Sequence, residues 1–237
     1  MMLDLATKEG KIISSALRLA AETPWQDVTL RQIASSASLT LADLSETFSS
    51  KSDILKGFLA QVDKEVLATA PPPRDGETRR DALFEVIMAR FDALTPYKTS
   101  LRSIANSPET ELSLIRPLLK SQVWMLEAAG IGSDGPMGPI KAAGLASVYM
   151  SAFRTWLDDD DPGMARTMAV LDRRLRRGEQ AVSGMESAFE GVQRVKSMLK
   201  SVLVRPRSTT DAESAQTDDV ASTANSNGPD TSAQPAT

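Results

Sequence analysis

Val28-Thr-Leu-Arg-Gln-Ile-Ala34 is followed in the chain by Leu39-Thr-Leu-Ala-Asp-Leu-Ser-Glu-Thr-Phe48 and Ser50-Lys-Ser-Asp-Ile-Leu55. Thr29 is placed to cap a short helix, Leu30 to Ala37. After Ser38 and Leu39, the hydroxyl of Thr40 is placed to cap a second, Leu41 to Phe48. Two short helices joined so tightly make a helix-turn-helix.

The same periodicity extends outward. A first helix is expected from about Leu5 to Glu22, with Ile12, Ile13, Ala16, Leu17, Leu19 and Ala20 on one stripe and Pro24 at its end. Ser49 or Ser50 precedes a longer helix, about Lys51 to Ala68, and the prolines of the Pro71 to Gly76 linker stop it. Helical patterns follow at Thr78 to Leu94, Lys98 to Asn106, Glu109 to Gly130, Gly138 to Leu157 and Met164 to about Ser183. Alternating β-branched runs and hairpin turns are lacking, so the class is all-α. The expected domains are a helix-turn-helix unit at 1–70, a larger helical unit at 71–183, an amphipathic helix at 184–204 and a disordered tail at 205–237.

Composition narrows the function. With 237 residues and 41% hydrophobic content the chain can bury a core. It contains no cysteine and no histidine, which removes disulfides, thiol catalysis, zinc fingers and every nucleophile–histidine pair. No enzyme, metal or cofactor is expected. Charged residues within the first 22 positions and the lack of a roughly 20-residue apolar run place the chain in the cytoplasm. The net charge of −4 decides nothing about nucleic acid, which needs only a local basic patch.

The quoted stretch resembles the DNA-binding domain of TetR-family regulators, over about residues 8 to 68. The resemblance is carried by Ile33, Ala34, Ala37, Leu44, Phe48, Lys51 and Leu55. It implies a TetR-repressor-like fold with a larger ligand and dimerisation domain, and DNA contacts from Thr29, Arg31, Thr40, Leu41, Ser45, Thr47 and Lys51. The chain departs from the family in the second short helix, which has Asp43 and Glu46 and no Arg or Lys. Two readings therefore stand: narrow binding through hydroxyls and backbone donors, or a scaffold that has lost its DNA.

The second half carries another resemblance. Asp81 to Leu94, Tyr149 to Trp156 and the Asp160-Asp-Pro turn look like the C-terminal domain of the ubiquinone-biosynthesis accessory lipid-binding family, which is similar in fold to TetR proteins without acting as a repressor. Phe84, Ile87, Met88 and Phe91 share a face, as do Leu112, Ile115, Leu119 and Val123, and Leu145, Val148, Tyr149, Ala152 and Trp156. These faces read as bundle core or as the wall of an apolar ligand pocket, for which Phe84, Met88, Phe91, Leu119, Val123, Tyr149 and Trp156 are the candidates. Arg90, Arg102, Arg116 and Arg154 read as solvated side chains or as anchors for a ligand head group. Asp158 to Asp161 lack calcium-loop spacing and read as a solvated turn capping the next helix.

Met164, Met168, Leu171 and Leu175 form a seam that, with Gly138 to Trp156, the TetR resemblance makes a four-helix homodimer interface. Met185 to Leu203 has an apolar stripe with Arg194, Lys196 and Lys200 off it. It reads as a helix docked on its own domain or as a peripheral membrane contact. The reading taken forward is a TetR-like homodimeric regulator that binds operator DNA and responds to a small apolar ligand. The alternative is a lipid- or isoprenoid-binding accessory protein of ubiquinone biosynthesis whose helix-turn-helix does not engage DNA.

Overall fold

Thr7, Thr29, Thr40, Ser50 and Thr78 each accept a hydrogen bond from a backbone N–H in the first turn of the helix that follows, so five helix starts are set by one hydroxyl each. In the computed structural model these helices are α1 (Lys8–Glu22), α2 (Leu30–Ser36), α3 (Leu41–Thr47), α4 (Lys51–Thr69) and α5 (Arg79–Leu94). They are followed by α6 (Lys98–Ala105), α7 (Pro108–Ala128), α8 (Gly138–Leu157) and a helical stretch at 165–181, here α9. The structure describes residues 3–70, 74 and 76–181, apart from the side chains of 108–112, and contains no strand among them. The expectations for Met185 to Leu203, for the 205–237 tail and for most of the Pro71 to Gly76 linker lie outside the described residues.

The all-α expectation is met, with boundaries moved by one to three residues. The largest shift is at α1, which begins at Lys8 rather than Leu5 because Asp4 to Thr7 forms a turn: the Thr7 N–H donates to the Asp4 carbonyl at 3.2 Å and the Thr7 hydroxyl takes the Gly10 N–H. A trihelical unit of α1, α2 and α3 closes on Ile12, Ile13, Ala16, Ile33, Ala34 and Leu44, all buried. Gly57 on α4 lets the Phe48 ring lie against the helix backbone, since a Cβ there would stand 2.9 Å from the ring. α4 in turn packs on α5 and α7, and α7 on α8, so the helix that follows the helix-turn-helix is also a wall of the larger helical layer.

Ser38, in the turn between α2 and α3, has φ of +56°, a left-handed conformation that costs a side-chain-bearing residue about 1–2 kcal/mol. Glycine removes that strain but loses about 0.5–1 kcal/mol of backbone entropy. Ser38→Gly is therefore expected to raise the thermal midpoint by a few degrees with the fold unchanged. A lower midpoint in a melting experiment would show that this turn is not strained.

Candidate functional site

The helix-turn-helix surface is built by two capping boxes. The Thr29 hydroxyl donates to Gln32 Oε1 at 2.8 Å and accepts the Gln32 N–H; the Thr40 hydroxyl donates to Asp43 Oδ2 at 2.6 Å and accepts the Asp43 N–H. Ser45 and Thr47 donate back to the carbonyls of Ala42 and Asp43, at 2.8 and 3.2 Å. All four hydroxyls named as DNA-contact candidates thus have their protons engaged inside their own helices. Leu41 is exposed at the start of α3.

Lys51 lies on the α4 start with its Nζ 5.1 Å from the centre of the Trp25 ring and donating to the Trp25 carbonyl at 3.0 Å. Its charge holds the buried Trp25 turn in place. Arg31 is exposed on α2.

On α3 the carboxylates have a partner that the sequence did not reveal. Lys8 of α1 reaches Asp43 at 2.7 Å and Glu46 at 3.5 Å. The Lys8 hydrogen bond and those from Thr40 hold the Asp43 carboxyl well below the usual carboxylate range, so it is ionised at any pH at which the protein works. Within residues 1–70, seven Lys and Arg face nine Asp and Glu, a net of −2. This unit offers a polyanion no excess of positive charge.

The pocket candidates are distributed unevenly. Phe91, Tyr149 and Trp156 are brought together as a filled, stacked core: ring centres lie 5.5 Å apart for Phe91–Tyr149 and 5.5 Å for Phe91–Trp156, and Phe153 joins at 5.9 and 5.6 Å. Lys98 stands 5.2 Å over the Trp156 ring. Met88 is buried beside them on α5, whereas Phe84, Leu119 and Val123 are half-buried. Ile115, expected on the same buried face as Leu119, is 49% exposed.

Arg90 departs most from the solvated reading, being wholly buried. It forms an ion pair with Asp63 of α4 and donates to the Tyr149 hydroxyl of α8 at 3.2 Å, while Ser121 of α7 donates to the same Asp63 oxygen at 2.6 Å. Burial by itself lowers the Arg90 pKa, but its placement facing Tyr149 and Asp63 outweighs this and it stays protonated; burial also keeps the Tyr149 phenol neutral by pushing its pKa up. Four helices are tied through one buried charge pair.

The aspartate turn caps α9, as expected, with Asp158, Asp160 and Asp161 exposed to solvent and Asp159 turned inward. Asp159 is buried and takes both the Thr167 N–H, at 2.9 Å, and the Thr167 hydroxyl, at 2.8 Å. Burial raises its pKa, yet these bonds outweigh it and leave the carboxyl below its ordinary value. Asp161 takes the Ala165 N–H at 3.1 Å. Arg102 donates to the Leu157 carbonyl, so it fastens the end of α8 to α6.

Between α4 and α7 lies a cleft of about 770 Å³. Lys64 and Leu67 come from α4; Arg116, Pro117, Lys120 and Trp124 come from α7. None of the seven pocket candidates lines it. Among the described residues no helix is long and apolar enough to cross a membrane, and no cluster of three or more metal-ligating side chains occurs.

This architecture is that of the TetR-type regulators. The structure is similar to a TetR transcriptional regulator from Nitrosomonas europaea ATCC 19718, with a TM-score of 0.57 at 20% identity, covering 73% of this chain and 98% of that one. It is similar also to a TetR transcriptional regulator from Rhodococcus sp. RHA1, with a TM-score of 0.52 at 15% identity over 72% of this chain and 94% of that one. A tetR-family transcriptional regulator from Streptomyces coelicolor gives 0.50 at 16% identity over 85% and 93% of the two chains. At these identities the likeness is one of fold. Within the sequence, residues 140–181 match the family model COQ9, a span that covers most of α8, the aspartate turn and α9. Both resemblances read from the sequence, to TetR regulators and to the ubiquinone-biosynthesis accessory family, thus have a counterpart. No curated protein matches the chain significantly.

Proposed function

We propose that this chain is a binding protein for a small apolar, lipid-like molecule, built on the TetR fold with its helix-turn-helix retained as scaffold. The observation that carries this reading is the state of α3. Its length has no cation, its two carboxylates are tied to Lys8, and its hydroxyl protons are directed inward. A helix presented to a phosphate backbone needs donors or positive charge on its outer face, and this one presents Leu41, Ala42, Ser45 and Glu46 as its exposed side chains. The COQ9 match over residues 140–181 supports an accessory role of the ubiquinone-biosynthesis kind.

The regulator reading, a ligand-responsive homodimer on operator DNA, has one specific observation in its favour. Arg31 and the first turn of α3 are open to solvent.

Sequencing of genomic fragments retained by the purified protein separates the two. The expected result is no fragment enriched over input. Reproducible enrichment of a palindromic site, abolished by Arg31→Ala, would establish the regulator instead.

A further inference from the structure

The α4–α7 cleft is an open groove lined largely by exposed cationic and apolar side chains. On α7, Arg116, Pro117, Lys120 and Trp124 fall at spacings of one, three and four, so they share one face, and Lys64 and Leu67 stand opposite on α4. Trp124 is 46% exposed and Leu67 38%, the largest apolar surfaces along this groove. Lys64, Arg116 and Lys120 have no ion-pair partner among the described residues. The carboxylate that also lines the cleft, Asp63, is already engaged by buried Arg90 and by Ser121. Among the described residues, three cations that line the same cleft as Trp124 thus carry no ion pair, and the volume suits a molecule of ordinary small-ligand size.

We propose that this cleft binds an amphipathic anion, an acyl or prenyl body with a carboxylate or phosphate head. Arg116, Lys120 and Lys64 take the head group, Arg116 through its planar fork, and Trp124 and Leu67 cover the apolar body. The Pro117 ring adds apolar surface to the wall. The proposal deepens the binding reading above and gives it a ligand class and a place.

Tryptophan emission reads this directly, because Trp25 and Trp156 are buried and Trp124 is the exposed one of the three. The full-length chain would be titrated below the micellar range with oleate, with a lysophosphatidate, with oleyl alcohol and with inorganic phosphate. Either acid is expected to shift the emission to the blue, and the alcohol and phosphate to leave it unchanged. Which acid binds tighter identifies the head group.

Arg116→Glu combined with Lys120→Glu is expected to weaken binding at least about tenfold with the melting midpoint kept. Trp124→Phe is expected to lose the shift, which assigns the signal to the cleft and not to Trp25 or Trp156. Oleate binding with no shift and no loss in the double variant would overturn the cleft while leaving the binding reading intact. Equal binding of the alcohol, or no binding of either acid, would overturn the anion proposal, and the genomic-fragment experiment would still judge the function separately.

Discussion

Asp63→Ala is expected to destabilise the fold by about 3–5 kcal/mol, because it leaves the Arg90 guanidinium buried without its counter-charge. For a domain whose whole stability is about 5–15 kcal/mol, this is a large fraction. The cost comes from the orphaned charge and not from the worth of the pair. Asp63→Leu combined with Arg90→Met, which removes both charges and keeps the volume, is accordingly expected to recover most of it. Urea unfolding of the three proteins checks both statements. A double variant as unstable as Asp63→Ala would mean that the pair itself, with Ser121 and Tyr149, supplies the stability.

Trp156→Ala is expected to cost about 3–5 kcal/mol by a different route. The indole is 1% exposed, stacked on Phe91 and Phe153, and has Lys98 over its face. Its removal opens a cavity in the layer that joins α5, α6 and α8 and leaves the Lys98 ammonium facing that cavity. Trp156→Phe retains the stacking and is expected to lose less than half as much. Thermal melts of both variants distinguish a filled core from a ligand pocket here: a Trp156→Ala protein that keeps its midpoint would show that the site has room to spare.

Much of this fold was legible from local signals. Thr29, Thr40, Ser50 and Thr78 are hydroxyl residues immediately before apolar periodicity, and each is an N-cap. What escaped were pairings across long separations. Lys8 and Asp43 lie 35 residues apart, and nothing in either neighbourhood signals that α1 delivers an ammonium to α3. Arg90 did leave a trace, since Leu83, Val86, Ile87 and Phe91 place it on the buried stripe of α5. Its partner, 27 residues earlier on α4, could not be paired with it until the helices were packed.

The candidate sites were harder to read than the core for a related reason. Aromatic residues at helical spacing do not reveal whether their faces meet one another or surround a space, and Phe91, Tyr149 and Trp156 meet. The spacing of Ile115 to Leu119 places it on a buried face, yet α7 turns Leu118 and Val123 towards the core and leaves Ile115 and Trp124 outside. Lys51 matched the TetR pattern at its position, but its charge is held by the Trp25 carbonyl.

An α3 that does not engage DNA leaves duplex affinity weak and only slightly dependent on salt. Fluorescence anisotropy with a labelled random genomic duplex, repeated from about 50 to 200 mM salt, gives the number of phosphates neutralised, because log K falls with a slope of about −0.9 for each. With a net of −2 over residues 1–70, and Lys51 and Lys8 already engaged, the account predicts binding weaker than about 10⁻⁴ M and a slope no steeper than about −2. Micromolar or tighter binding with a slope of about −5 or steeper, lost in Arg31→Ala, would contradict it.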